Sequence, residues 1–136
     1  TNAPSVAISG NGRHVAYSGP DNIVRRMRVL DGTNVVLAGG TFTRVTSLAD
    51  NGQRVTFRTY FEGRFSLATV MRPGEVRITG TDAIGRRSLN LNQGVISGDG
   101  GWVAFIGMDP TDETAQAGDP FDAFIRSVDS RYHGPA

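Results

Sequence analysis

The fold of this chain is decided by three related stretches: VAISGNGRHVAY at residues 6–17, VTSLADNGQRVTF at 45–57 and VISGDGGWVAF at 95–105. Each stretch has a short apolar strand, then Asn-Gly or Asp-Gly, then Val-x-Phe or Val-x-Tyr. Asn-Gly and Asp-Gly favour the left-handed turn conformations that connect two antiparallel strands tightly. Alternation of the apolar residues with polar neighbours indicates strands with one buried face. Three such hairpins, spaced by 40 and then 48 residues, predict a repeat protein.

Further strands are predicted after each hairpin. Residues 23–30, 65–71 and 121–128 fit a third strand, and residues 34–38 and 75–79 fit a fourth strand in the first two repeats. Four strands in a unit of about 40–50 residues is the pattern of a propeller blade. We therefore expect an all-β chain of antiparallel β-propeller blades at about 4–40, 41–92 and 93–136, the last blade without its outer strand.

The same residues carry a family resemblance. Ile8-Ser9-x-Asn11-Gly12, followed by Val15-Ala16-Tyr17, resembles the TolB-type, WD-like propeller repeat of bacterial proteins. Residues 96–105 resemble it equally, and GDPFDAFIR at 118–126 resembles the third strand of that repeat. The second copy departs most, with Leu48-Ala49 where the others have Ile-Ser. The resemblance implies a propeller, found in periplasmic, secreted and peptidase-associated proteins alike, and it fixes no partner.

Composition narrows the classes of protein. Hydrophobic residues make up 38% of the chain and charged residues 20%, which fits a folded domain. The sequence contains no apolar run long enough for a membrane-spanning helix. It has no cysteine, which excludes disulfides and thiolate metal sites. Its net charge of +1 argues against a nucleic-acid reader. No signal peptide is recognisable at Thr1, as expected of a mature exported protein or a cytosolic one; the resemblance favours a secreted or periplasmic location.

The charges are unevenly distributed along the chain. Residues 1–95 hold twelve Arg and six acidic residues, whereas residues 96–136 hold two Arg and seven acidic residues. Propellers close with about four to eight blades, so three blades leave two open flanks. We expect either a fragment of a longer propeller or a homo-oligomer in which two copies form a six-bladed ring. The opposite charges of the two ends support the second arrangement, although the acidic residues can also simply solvate a loop.

The residues predict no catalytic site. The only histidines are His14, expected on the surface beside a turn, and His133, expected in a frayed tail. A nucleophile needs a base beside it, and no Gly-x-Ser-x-Gly elbow is present. We therefore expect no enzyme activity, no cofactor and no resident metal. The acidic loop at 108–122 does not match an EF-hand, and we expect it to be solvated or to cap a strand; calcium binding there stays open. Asp109 and Asp112 in this loop are candidate partner-binding residues.

Binding is the predicted activity. The loop of Tyr60, Phe61 and Arg64 combines two aromatic residues with an arginine, which is typical of a protein-binding surface; the two rings can also fill the gap between blades. Arg25, Arg26 and Arg28 are expected to be exposed on an outer strand, where charge discourages edge pairing. Trp102 has no aromatic counterpart in the other repeats, which counts against a repeated sugar site.

Three functions remain open at this point. The first is a noncatalytic binding module or scaffold for another protein. The second is glycan or cell-wall binding, and the third is a propeller that accompanies a peptidase.

Overall fold

The computed structural model describes residues 4–79, 93–107 and 122–129. Every regular element in these residues is a β-strand. The strands are β1 (Ser5–Ile8), β2 (His14–Ser18), β3 (Ile23–Arg28), β4 (Asn34–Gly39), β5 (Thr41–Leu48), β6 (Val55–Phe61), β7 (Arg64–Arg72), β8 (Glu75–Ile78), β9 (Gln93–Ile96), β10 (Trp102–Gly107) and β11 (Asp122–Ser127).

The strands form three antiparallel sheets in chain order. The first sheet has the order β1-β2-β3-β4, the second β5-β6-β7-β8, and the third β9-β10-β11. Each strand pairs with its neighbour in sequence, so each sheet is a meander. The fold class read from the sequence is confirmed for the described residues. The end of the third repeat, where a fourth strand is not expected, lies beyond the residues that the structure describes.

The Asx-Gly turns between the first two strands differ from the tight two-residue turn that the sequence suggests. Ser9 N–H donates to the carbonyl of His14, and Gly12 N–H donates to that of Ser9. Four residues therefore connect the strands, and only Gly12 has a positive φ, 72°. The Asn11 side chain accepts from Ser9 Oγ at 2.7 Å and from Arg13 N–H at 2.9 Å, an Asx turn that explains the motif. The third turn repeats these bonds with Ser97, Asp99 and Gly101.

The sheets pack face to face in the order first, second, third. One apolar cluster lies between the first and second sheets and a second cluster lies between the second and third sheets. Both faces of the middle sheet are therefore buried, and each fully buried Val, Leu or Phe contributes about 1.5–3 kcal/mol. The first cluster comprises Ala16, Val24, Leu37, Val45, Leu48, Val55, Phe57, Ala68 and Val70. The second comprises Ala49, Leu67, Ile96, Val103, Phe105 and Val128.

The Val-x-aromatic motif forms the face that each sheet turns toward the sheet before it, called here the upstream face. Val55 and Phe57 are buried against the first sheet, and Val103 and Phe105 are buried against the second. In the first sheet the equivalent residues, 15 and 17, are only half-buried. Equivalent positions thus differ in burial because the described residues include no sheet before the first.

Serine hydroxyls join neighbouring first strands. Ser5 Oγ in β1 accepts a hydrogen bond from Val45 N–H in β5 at 2.8 Å. Ser47 Oγ in β5 accepts one from Ile96 N–H in β9 at 2.7 Å. These bonds hold the first strands side by side, as expected of the innermost strands of propeller blades.

The arginines of the first repeat lie elsewhere than the sequence suggests. They belong to β3, whereas β4 is the outermost strand of that sheet, so they do not protect an edge. Arg25 forms a 2.9 Å ion pair with Asp21. Arg26 is half-buried and its Nη1 donates to the carbonyl of Gly52 in the second sheet at 3.0 Å. Burial lowers the pKa of Arg26, and its role is a contact between sheets.

Candidate functional site

Exposed aromatic residues gather at one end of the second sheet. This end carries the start of β5 and the β6–β7 turn, and it is opposite the Asx-Gly turns. Phe42 is 53% exposed, Tyr60 41% and Phe61 43%. Phe42, Tyr60 and the half-buried Phe65 form a surface that we call the aromatic ledge, whereas Phe61 pairs with Arg64 and lies on the opposite face of the sheet. Because large apolar side chains of this kind are costly to leave in water, a cluster of them marks a candidate binding surface.

Ring contacts fix the geometry of the ledge. The rings of Phe42 and Tyr60 meet edge to face, with centroids 6.3 Å apart and an interplanar angle of 86°. The rings of Tyr60 and Phe65 meet in the same way at 5.3 Å and 78°. Such pairs stabilise by about 0.5–1.5 kcal/mol beyond the burial of their area. The central ring of Tyr60 is therefore held by an aromatic neighbour on each side.

An unusual backbone brings Phe42 to the ledge. Phe42 has a φ of 50°, in the left-handed region that an aromatic residue rarely adopts. It lies where the β5–β6 register shifts between Thr41 and Arg44. A β-bulge changes the direction in which side chains point, and this one occurs where the Phe42 ring contacts Tyr60. Among the described non-glycine residues, the others with positive φ, Asn22 and Glu62, also lie at this end.

Arginine supports the ledge from within the sheet. The guanidinium carbon of Arg58 lies 3.7 Å from the centroid of the Phe65 ring, a cation–π contact. Burial lowers the pKa of Arg58, and the charge of Arg44, its partner in the β5–β6 register, lowers it further. The ledge is therefore bordered by positive charge from Arg44 and Arg58, whereas Arg64 lies beside Phe61 on the opposite face.

The structure brings together only part of the predicted site. Tyr60, Phe61 and Arg64 lie at one hairpin, in the two strands joined by Glu62 and Gly63. Asp109 and Asp112 lie outside the described residues. The sequence interpretation missed Phe42, Phe65 and Arg58. Nothing local in the sequence marks Phe42 as part of this surface, because a bulge and a left-handed residue bring it there.

His14 is less exposed than the sequence suggests. It is half-buried, and its ring lies against Gly52 of the second sheet. Burial lowers its pKa from 6.5, and the charges of Arg26, Arg28 and Arg13 lower it further. At neutral pH the imidazole is therefore uncharged. Within the described ranges no group of three His, Cys, Asp or Glu side chains is placed to hold a metal ion.

Comparison with solved structures identifies the fold. No family model and no curated protein matches the chain. TolB from Acinetobacter baumannii superposes with a TM-score of 0.62 at 14% identity, over 90% of this chain and 29% of that one. A putative TolB from Agrobacterium tumefaciens gives 0.56 at 15%, over 90% of this chain and 44% of that one. The tricorn protease gives 0.54 at 12%, over 91% and 13%.

These similarities confirm the TolB-type β-propeller fold that the sequence predicts. The chain spans less than half the length of the two TolB structures that it resembles. In addition, no helix among the described residues has the length and apolar character that spanning a bilayer requires.

Proposed function

We propose that this chain is a noncatalytic propeller module that binds another protein through the aromatic ledge. One observation carries the proposal: two large aromatic side chains, of Phe42 and Tyr60, are exposed in edge-to-face contact, and an unusual backbone and a third ring hold them in place. Aromatic residues and arginine are the residues that most often dominate the energy of protein interfaces.

The arrangement of the rings favours binding. Tyr60 is held between Phe42 and Phe65, so little side-chain freedom remains to be lost when a partner binds. The neighbouring charges of Arg44 and Arg58 favour a partner that presents carboxylates beside its apolar contacts. The partner that fits best is a polypeptide segment with aromatic or aliphatic and acidic side chains.

We propose two alternative functions. An exposed ring such as that of Tyr60 can also stack on a sugar, which keeps a glycan or cell-wall ligand as the second candidate. The similarity to the tricorn protease propeller supports a third, a propeller that accompanies a peptidase. The resemblance to TolB-type propellers leads us to propose an exported or periplasmic location.

A selection from a random peptide library tests the proposal. We expect enriched peptides to carry acidic and apolar residues, and to bind in calorimetry with a dissociation constant that rises about tenfold or more in Tyr60→Ser or Phe42→Ser. Leu30→Ser is the matched control, because Leu30 is a large exposed apolar residue in the β3–β4 connection.

The outcomes separate the candidates. Peptide binding that the Leu30→Ser control lowers as much as Tyr60→Ser does would contradict the assignment of the ledge. Binding on a glycan array that only the ledge substitutions abolish would replace the protein partner with a carbohydrate. Failure to enrich any peptide or glycan would contradict both.

A further inference from the structure

A cleft lined by basic side chains lies on the face of the first sheet that packs against the second sheet. Its volume is about 200 Å³, and it is lined by His14, Arg26, Arg28, Thr33 and Val35. The register places these residues on one face, because His14 lies opposite Arg28 and Arg26 lies opposite Val35. Val35 packs against the apolar cluster between the first two sheets, so the cleft lies at the junction of these sheets.

Positive charge at the cleft is only partly balanced. Arg28 pairs with Asp31, whose Oδ1 accepts a hydrogen bond from Arg28 Nε at 3.1 Å. Arg26 is half-buried, and no carboxylate among the described residues forms an ion pair with it. Arg13 adds a third positive charge, close enough to lower the pKa of His14. Three guanidinium groups therefore share one carboxylate.

The imidazole of His14 also has unused hydrogen-bonding capacity. Its Cδ2 atom lies nearest the Cβ position of Gly52, so Nδ1 is on the opposite edge of the ring. Nδ1 is buried, and it has no hydrogen-bond partner among the residues that the structure describes. A buried polar atom of this kind is uncommon, and it marks a place where ordered solvent or an ion supplies the partner.

The junction between the second and third sheets shows how a similar positive charge is balanced. There Arg54 Nη1 donates to the carbonyl of Gly100 at 2.7 Å, as Arg26 Nη1 donates to that of Gly52 at 3.0 Å. Arg54 is also paired with a carboxylate, because its Nη2 lies 2.8 Å from Asp129 Oδ1. In both junctions an arginine binds the turn glycine of the next sheet, but only the second junction provides that arginine with a carboxylate.

A proline explains the missing carboxylate. Asp129 lies three residues after the β11 partner of Val103, and Pro73 lies three residues after the β7 partner of Val55. Because Val55 and Val103 are equivalent residues of the repeat, Pro73 holds the position of Asp129. Proline has no acceptor in its side chain, and the nearby Glu75 is already paired within its own hairpin.

We propose that this cleft binds a phosphate group, which Arg26 and Arg28 hold in place of the carboxylate that Asp129 provides at the next junction. Arginine suits this ligand because its planar guanidinium donates two parallel hydrogen bonds to phosphate oxygens. The excess of positive charge favours a doubly charged anion over a single carboxylate. Inorganic phosphate and the phosphate of a phosphorylated ligand present the same oxygens, and the experiment separates them.

Isothermal titration calorimetry tests the proposal at about pH 7.5, where phosphate is mostly doubly charged. We expect inorganic phosphate to bind one site per chain with a dissociation constant of about 1 mM or lower. Acetate at the same ionic strength should bind about tenfold more weakly or not at all. Tighter binding of O-phosphoserine than of inorganic phosphate would assign the site to a phosphorylated ligand, and the reverse order would assign it to the free ion.

One pair of arginine variants tests the position of the site. Arg26→Met is expected to raise the dissociation constant for phosphate about tenfold or more, because it removes the guanidinium that has no carboxylate. Arg54→Met is the matched control, since it removes the same charge and the same kind of bond to a turn glycine. It should leave phosphate binding unchanged within about twofold, because distant charges are screened.

A second pair of variants fills the site from within the chain. Pro73→Asp brings a carboxylate to the junction and should abolish phosphate binding, whereas Pro73→Asn, of the same size and without charge, should keep it. Circular dichroism checks that each variant is folded. If Arg26→Met does not fold, the comparison of the two Pro73 variants decides the matter.

Four results would overturn the proposal. They are no phosphate binding by the wild-type chain, equal loss of binding in Arg26→Met and Arg54→Met, equal binding by the two Pro73 variants, and binding of acetate as tight as that of phosphate. The aromatic ledge lies at the opposite end of the sheets and its peptide binding is measured separately, so either proposal can fail without the other.

Discussion

The imidazole of His14 lies on the backbone of Gly52, a residue of the neighbouring sheet, in the space that a side chain at position 52 would occupy. Gly52 is required here for two reasons, its left-handed φ of 75° and the closeness of the ring. A side chain at position 52 would therefore cost free energy through backbone strain and through steric overlap with His14. A glycine with a similar φ but no close neighbour measures the first cost alone.

Gly52→Ala is expected to lower the free energy of unfolding by about 2–4 kcal/mol, combining backbone strain with overpacking. Gly32→Ala is the control, because Gly32 has a φ of 72° and nothing within 4 Å of its Cβ position. It should cost only about 1 kcal/mol. Urea unfolding measures both, and equal losses in the two variants would show that His14 adds nothing.

Asp50 is coupled to the glycines at the equivalent positions of the other two turns. Its carboxylate occupies the places where Cβ atoms of Gly10 and Gly98 would stand. Because the exposed Asp50 side chain can turn away, Gly98→Ala should lower the free energy of unfolding by only about 1 kcal/mol, and by less in an Asp50→Gly background. A double-mutant cycle should give a coupling energy of about 0.5 kcal/mol. Simple additivity of the two changes would contradict the contact.

Arg54 joins the second and third sheets through both a carbonyl and a carboxylate. Its Nη1 donates to Gly100 O at 2.7 Å, and its Nη2 lies 2.8 Å from Asp129 Oδ1. Arg54→Met should lower the free energy of unfolding by about 1 kcal/mol, mainly through the lost bond to the carbonyl. Arg72→Met is the control, since Arg72 pairs with Glu75 in water within one hairpin, and should cost less than about 0.5 kcal/mol.

His14 makes stability depend on pH in the mildly acidic range. Its pKa in the folded protein lies below 6.5, because burial and then the nearby arginines disfavour the charged ring. The unfolded chain therefore takes up a proton as the pH falls through 6.5, while the folded chain does not until lower pH. The free energy of unfolding should fall as the pH is lowered below about 6.5.

Thermal melts across this pH range measure the effect. His14→Gln should flatten the dependence, whereas His133→Gln, the matched control, should keep it. Asp99 and Asp129 also have lowered pKa values, through hydrogen bonds from Ser97 and Arg54. Their contribution is lost only as the pH falls below about 3.8, so the two ranges can be told apart. An unchanged slope in His14→Gln would contradict the assignment.

The sequence predicts the hairpins because their determinants are local. A strand with one buried face needs alternation over a few residues, and the Asx-Gly turn needs one side chain acceptor and one residue with positive φ. The sequence therefore predicts that Val55 and Phe57 are buried on one face. It does not predict the length of the turn, because the four-residue connection depends on the hydrogen bonds of Ser9 and Asn11.

The aromatic ledge was predicted only in part. The sequence predicts Tyr60 with its neighbour Phe61, which strand alternation places on the other face, whereas Phe42 is 18 residues away and joins Tyr60 through a bulge. In the sequence Arg58 is one of several polar residues that alternate with apolar ones along a strand. Only the three-dimensional structure shows that its guanidinium lies over the Phe65 ring.

The sequence by itself determined that this chain is made of equivalent antiparallel blades, since strand alternation and turn chemistry act over a few neighbouring residues. Only the tertiary structure decided which face of each blade is covered, because that depends on residues 40 or more positions apart, such as Ser5 and Val45. For the same reason Val15 and Val55, alike in sequence, differ in burial.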